Sequence, residues 1–297
     1  MSQDTTAPRA GSWSAELVSL VRAASGGLLF GIPLLYTVEM TWIGQHTSAR
    51  QAMVVLAASL LLLTVLNRTA GFRSHADTTF RDAAMDAVEG VALAIVLVLG
   101  VLLLLGAYDR STPLLVILGM TVYEVLAVSV GVGVATHLLR EKGDDDDAQG
   151  DGSQRRSRRT QSPPTTQLNA TVADLGASLI GAVFIALSIA PTDEVEQVSS
   201  SRGPIWLLAI MATSLLIAYA IVFVAGFTGQ AQRRTSPGLL QHPVIETLAS
   251  YVVALATSAA MLWLFQRADT PPSVALSHVI VLGLPAAIGG AAGRLAI

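Results

Sequence analysis

Eight apolar runs, each about long enough to cross a bilayer, follow one another through the 297 residues, and this pattern excludes most folds. The first is the clearest. From Gly26 through Gly27, Gly31, Leu35 and Glu39 to Trp42 the chain is almost entirely apolar. Gly27 and Gly31 form a small-xxx-small face that lets a second helix approach closely. Steps of four along that face lead to Leu35 and then to Glu39, so a carboxylate ends the packing line. Hydrophobic residues make up 52% of the chain and charged residues 13%, with a mean hydropathy of +0.59. Helical spans fit these long runs, whereas a transmembrane barrel needs short alternating segments. The expected fold class is therefore an all-α polytopic membrane protein with eight transmembrane helices.

The spans are expected near Ala23–Ile43, Gln51–Leu66, Ala83–Leu105, Pro113–Leu139, Val172–Ala190, Pro204–Phe227, Pro243–Leu264 and Ser273–Leu295. Residues 140–168 carry Asp, Gly, Arg, Ser, Gln and Pro without apolar periodicity and read as a disordered linker. The expected organisation is an N-terminal four-helix unit over 1–139, the linker, and a C-terminal four-helix unit over 169–297. The start of the chain lacks the pattern of a cleaved signal peptide. No Cys occurs, which excludes disulfides, thiolate metal sites and cysteine nucleophiles.

Of the 18 basic residues, 14 fall in segments on one side of this topology and four, Arg50, Arg110, Arg202 and Arg267, on the other. Discounting the linker leaves 8 against 4. Both termini are expected in the cytoplasm, with the protein in the plasma membrane. The linker's Arg155-Arg156-Ser157-Arg158-Arg159 fits a positive flank at the inner leaflet. Nothing suggests nucleic-acid binding, and the bilayer and cations are the expected partners. The oligomeric state is open.

The two units resemble each other. Gly26–Gly31 matches Gly176–Gly181, Ala70-Gly71-Phe72 matches Ala225-Gly226-Phe227, and Val88-Glu89-Gly90 matches Ile245-Glu246-Thr247. Val130-Gly131-Val132-Gly133 falls opposite Gly289–Gly293. The expectation is a tandem repeat in parallel orientation, related by a pseudo-two-fold along the membrane normal. The Gly-Gly-Leu-Leu-Phe-Gly stretch with Tyr36-Thr37-Val38-Glu39-Met40, together with Ala190-Pro191-Thr192-Asp193-Glu194, resembles an uncharacterised family of prokaryotic multi-pass integral membrane proteins. That resemblance implies no activity and transfers no functional residues.

Acids inside spans are costly and mark functional sites by default. Glu39, Asp193 and Glu194 lie near one membrane surface, Glu124 near mid-depth, and Glu89 and Glu246 near the other surface at matching positions. These six are the candidate residues of a cation pathway for protons, sodium or a divalent ion, in a channel or a transporter. Glu89 and Glu246 are expected to face one shared cavity, with Pro285 breaking the last span opposite Glu124. An alternative is a non-catalytic scaffold or sensor. A third reading, the weaker enzyme reading, is an Mg²⁺-dependent membrane transferase. There Asp82 and Asp86 form a DxxxD, and with His242 they are the candidate metal ligands. No resident cofactor is expected.

Overall fold

In a computed structural model, residues 10–70, 80–138, 164–200, 203–225 and 243–295 are described. Among them all regular structure is helical. The N-terminal half holds α1 (Ala10–Leu35), α2 (Val38–Gln45), α3 (Ala49–Ala70), α4 (Phe80–Leu105) and α5 (Leu114–Leu138). The C-terminal half holds α6 (Pro164–Ile189), α7 (Glu194–Ser200), α8 (Pro204–Tyr219), α9 (Pro243–Leu264) and α10 (Pro272–Leu295). Seven of these helices are long and apolar enough to cross a membrane, and α6 joins them as an eighth when taken with α7 across an 85° bend.

The expected linker reached residue 168, yet α6 already begins at Pro164. Proline suits that position, because a helix leaves its first N–H groups unbonded in any case. Residues 140–163 of the linker lie outside the described residues. The first apolar run is two helices rather than one. Pro33 sits in the last turn of α1, and both the amide and the hydroxyl of Thr37 bond the Leu34 carbonyl, at 2.8 and 2.7 Å. Thr37 is extended (φ −85°, ψ 126°), and the chain restarts as α2. The next start is a capping box: the Ser48 amide donates to Gln51 Oε1 at 3.0 Å, and the Gln51 amide donates back to Ser48 Oγ at 3.4 Å. The sixth run also departs from a plain helix, since α8 passes into a π-helical turn over Ala220–Val224.

Each half is built around its last helix. α5 packs against α1, α2, α3 and α4, and α10 against α6, α7, α8 and α9. In α10 72% of the span is buried and in α5 56%, against at most 39% in the other candidate spans, so these two are the cores of their halves. Small residues permit this. A Cβ on Gly26 would strike the Gly131 carbonyl of α5, and a Cβ on Gly181 would strike the Gly289 carbonyl of α10. Gly27 and Gly31 face Val128 on α5, so the expected small-residue face is a packing face and does not meet lipid.

α4 and α9 end alike. Gly106 (φ 68°) and Gln266 (φ 59°) are left-handed. In each case the residue's amide bonds three residues back (Leu103, Trp263) and the next amide bonds five back (Leu102, Leu262), which is the Schellman pattern.

Among the described residues three side chains hydrogen-bond across the halves, and all donate to main-chain carbonyls. Arg22 Nε reaches Ala225 at 2.8 Å, Tyr36 Oη reaches Val281 at 2.8 Å, and Trp206 Nε1 reaches Leu104 at 2.5 Å. Two of these acceptors are ones their own helix leaves without a donor: Leu104 lies in the last turn of α4, and Val281 stands four residues before Pro285, which has no N–H.

Candidate intramembrane site

α5 is apolar almost all round, as a helix enclosed by four others must be. Glu124 lies in its middle and is 0% exposed. Neither of its carboxyl oxygens has a hydrogen-bond partner among the described residues. One turn away stand the buried Met120, Thr121 and Val128. The Thr121 hydroxyl already donates to the Ile117 carbonyl at 2.7 Å. No Lys or Arg pairs with Glu124 among the described residues, so an ionised form here would be a bare charge in an apolar core. Insertion scales put that cost at no less than about 2.5 kcal/mol. Nothing among the described residues is placed to balance an ionised carboxylate at Glu124.

α1 and α5 run side by side with Gly27 facing both Val132 and Val128, and Gly31 facing Val128. One turn further along this antiparallel register, Glu124 is level with Leu35 and the break that follows it. Tyr36, at that break, is buried and bonds the Val281 carbonyl of α10. α10 runs as one helix through Pro285. The expected break in the last span is therefore absent: Tyr36 takes up the carbonyl that the proline frees.

The other candidates are dispersed. Glu39 is exposed in the first turn of α2. Asp82, Asp86 and Glu89 share an exposed face of α4, beside the buried stripe of Ala83, Ala87, Gly90 and Ala94. Small residues mark the side of α4 that packs, and that signal was present in the sequence. Glu246 is half-buried in the first turn of α9 and forms an ion pair with Arg294. The expected meeting of Glu89 and Glu246 in one cavity does not occur, because Glu89 is exposed on α4 while Glu246 is held by Arg294 inside the C-terminal half. The DxxxD face is likewise exposed, and its third candidate ligand, His242, lies outside the described residues. Among the described residues no three or more His, Asp or Glu gather closely enough to hold a metal ion.

Sequence reasoning missed Arg294. It is 1% exposed near the end of α10 and pairs with Glu246, with Asp174 at 3.9 Å. Its Nη1 donates to Ser250 at 3.3 Å, and its guanidinium lies 5.9 Å from the centre of the Phe223 ring in the π turn. At the opposite end of this half, Asp193 pairs with Arg267 at 2.5 Å, and Arg267 also donates to the Pro191 carbonyl at 2.9 Å. Glu194, next in sequence, is buried at the start of α7, and its Oε2 has no partner among the described residues.

A bundle of long apolar helices, each half closed around an enclosed span, defines the class: a polytopic helical integral membrane protein. The family model described as "Putative integral membrane protein (DUF2391)" matches residues 19–297, and the chain belongs to that family. No match to a curated protein or to a solved structure was found.

Proposed function

We propose that the protein is a proton-linked cation transporter of the plasma membrane in which Glu124 binds the proton. The observation that carries this reading is a carboxyl group at mid-span with no exposed surface and no partner. Leaving a buried polar group unsatisfied costs about 1–3 kcal/mol, and an intramembrane acid so placed is explained by proton uptake and release. Release requires a second conformation in which Glu124 meets water or a cation. The seam between the halves suits such a change, because among the described residues three side-chain hydrogen bonds span it.

The reading includes a tandem repeat of four spans, in parallel orientation, with both termini cytoplasmic. Support comes from corresponding features. Gly26 against Gly131 corresponds to Gly181 against Gly289, and the left-handed end at Gly106 corresponds to that at Gln266. Glu39 and Glu194 both lie in the first turn of the short helix that follows the first long one. In this register the first helices are 155 residues apart (Gly26 to Gly181), in place of the 150 suggested by Gly176–Gly181. The last helices are 158 apart (Gly131 to Gly289), which sets Leu282 opposite Glu124. The proton site is thus confined to one half, as in a repeat whose copies have specialised.

Flux measured in liposomes tests the reading. Wild-type protein should move protons against a cation gradient, and Glu124→Gln should keep its fold and lose the pH dependence. Unchanged pH-dependent flux in Glu124→Gln would move the role elsewhere. Absence of flux under gradients of protons, sodium, potassium and divalent ions would favour the scaffold or sensor, a reading supported by the apolar wall of Met120 and Val128 around Glu124. For topology, a single cysteine at Ser153 of this Cys-free chain should resist an impermeant thiol reagent in intact cells. Labelling from outside would reverse the orientation.

A further inference from the structure

A cavity of about 160 Å³ opens at the end of the C-terminal half where α6 turns into α7 and α9 into α10. That volume is about five times the liquid-volume share of a water molecule and falls short of a drug-sized pocket. His278, from the second turn of α10, lines it while only 4% exposed, and its Nε2 is buried without a partner. The Thr270 hydroxyl, also on the wall, is buried and unpartnered too. Val195 and Leu262 supply apolar surface.

We propose that this cavity binds a small protonated amine, held between the Asp269 carboxylate and the His278 ring nitrogen. The charges on the wall are those of Glu196, Asp269 and Arg267. Arg267 is already engaged by Asp193 at 2.5 Å, by the Pro191 carbonyl at 2.9 Å and by Glu196 at 3.9 Å. Its charge is therefore spent within the wall, whereas Asp269 has no ion pair among the described residues. The contrast with the α4–α5 connection is direct. There Asp109 accepts from the Ser111 amide at 2.8 Å and the Ser111 hydroxyl at 2.6 Å, so its own loop satisfies it. Those hydrogen bonds hold the Asp109 carboxyl below the usual carboxylate range.

An ammonium group brings several N–H donors, and the wall offers acceptors for them. Asp269 supplies a carboxylate, the Thr270 hydroxyl has open lone pairs, and the His278 ring would supply Nε2 in the tautomer that carries its proton on Nδ1. The short carbon part of the amine would lie against Val195 and Leu262. A bare metal ion suits the wall less well, because no three metal-binding side chains gather among the described residues. The inference is independent of the role given to Glu124. In the topology proposed above the cavity faces outward.

The test uses the full chain in lipid nanodiscs, with ethylammonium chloride titrated at constant ionic strength. Thermal unfolding should shift upward and saturate with ethylammonium. Tetramethylammonium, which has the charge but no N–H, and sodium should give no saturable shift. Asp269→Asn, at an exposed position, should weaken the apparent Kd by about tenfold, whereas Asp109→Asn, the same change of charge on another loop, should leave it unaltered. Equal responses to ethylammonium and tetramethylammonium, saturation by acetate instead, or an unchanged Kd in Asp269→Asn would each overturn the proposal. Glu124→Gln should bind ethylammonium like the wild type, so failure of this inference and failure of the transport reading are distinguishable.

Discussion

Tyr36 donates its hydroxyl to the Val281 carbonyl at 2.8 Å, and that carbonyl lacks a helical donor because the residue four positions on is Pro285. A side chain at the broken end of α1 thus completes the hydrogen bonding of the most enclosed helix of the other half. Tyr36 and Pro285, 249 positions apart in sequence, thus act on the same carbonyl. Tyr36→Phe should destabilise the folded protein by about 1–3 kcal/mol, the cost of leaving a buried carbonyl unpaired. In a Pro285→Ala background the helix can supply its own N–H, and the same Tyr36→Phe change should cost markedly less. Additive losses in this double-mutant cycle would show that the hydrogen bond does not compensate for the proline.

Gly31 and Gly100 are both helical glycines with opposite surroundings. A Cβ at Gly31 collides with Val128, and a Cβ at Gly100 meets nothing within 4 Å. Gly31→Leu should lose about 1–3 kcal/mol or more through overpacking. Gly100→Ala should gain about 0.5–1 kcal/mol by restricting the unfolded chain. Unfolding of both variants under identical detergent conditions gives the comparison. A harmless Gly31→Leu would mean that α1 and α5 are not in tight contact.

Gln266 carries the left-handed turn that ends α9, where α4 uses Gly106. A side chain in that conformation costs about 1 kcal/mol relative to glycine. Gln266→Gly should therefore raise stability by about that amount, and Gly106→Ala should lower it. If both changes prove neutral in thermal unfolding, the two ends are not the strained turns described.

The spans were legible because bilayer thickness sets a length and apolarity sets a composition, and both are one-dimensional signals. The small-residue faces of α1 and α6 were legible for a related reason: glycine spacing of four repeats on one side of a helix. The register between the first helices was less so, since Gly176–Gly181 and Gly26–Gly31 match in letters while the close approaches involve Gly26 and Gly181. The break at Thr37 was hidden because Pro33, Tyr36 and Thr37 sit inside an unbroken apolar run, and a hydroxyl bonding backward leaves no trace in hydropathy. Spacing placed Asp82, Asp86 and Glu89 on one face of α4 but could not say which way it points. The pairing of Glu246 with Arg294 depends on two helices meeting near their ends, and no local pattern encodes that.

The pair of Glu246 and Arg294 should govern stability more than Glu89 does. Arg294 is enclosed at the end of α10, and its contact with Glu246 is reinforced by Ser250 at 3.3 Å and by Asp174 at 3.9 Å. Taking away the carboxylate strands a buried guanidinium, a change that costs about 3–5 kcal/mol when a buried pair is broken. Glu246 keeps some exposure and Asp174 is near, so Glu246→Gln is expected toward the lower end of that range. Glu89 lies on the exposed face of α4, and Glu89→Gln should change stability by no more than about 0.5 kcal/mol. Replacing the pair together, Glu246→Leu with Arg294→Met, should recover much of the loss of Glu246→Gln, because the desolvation of both charges is removed at once. Equilibrium unfolding of the three variants and the wild type in one detergent gives the ranking. Equal losses in Glu89→Gln and Glu246→Gln would restore symmetry to the two acids and return Glu89 to the interior.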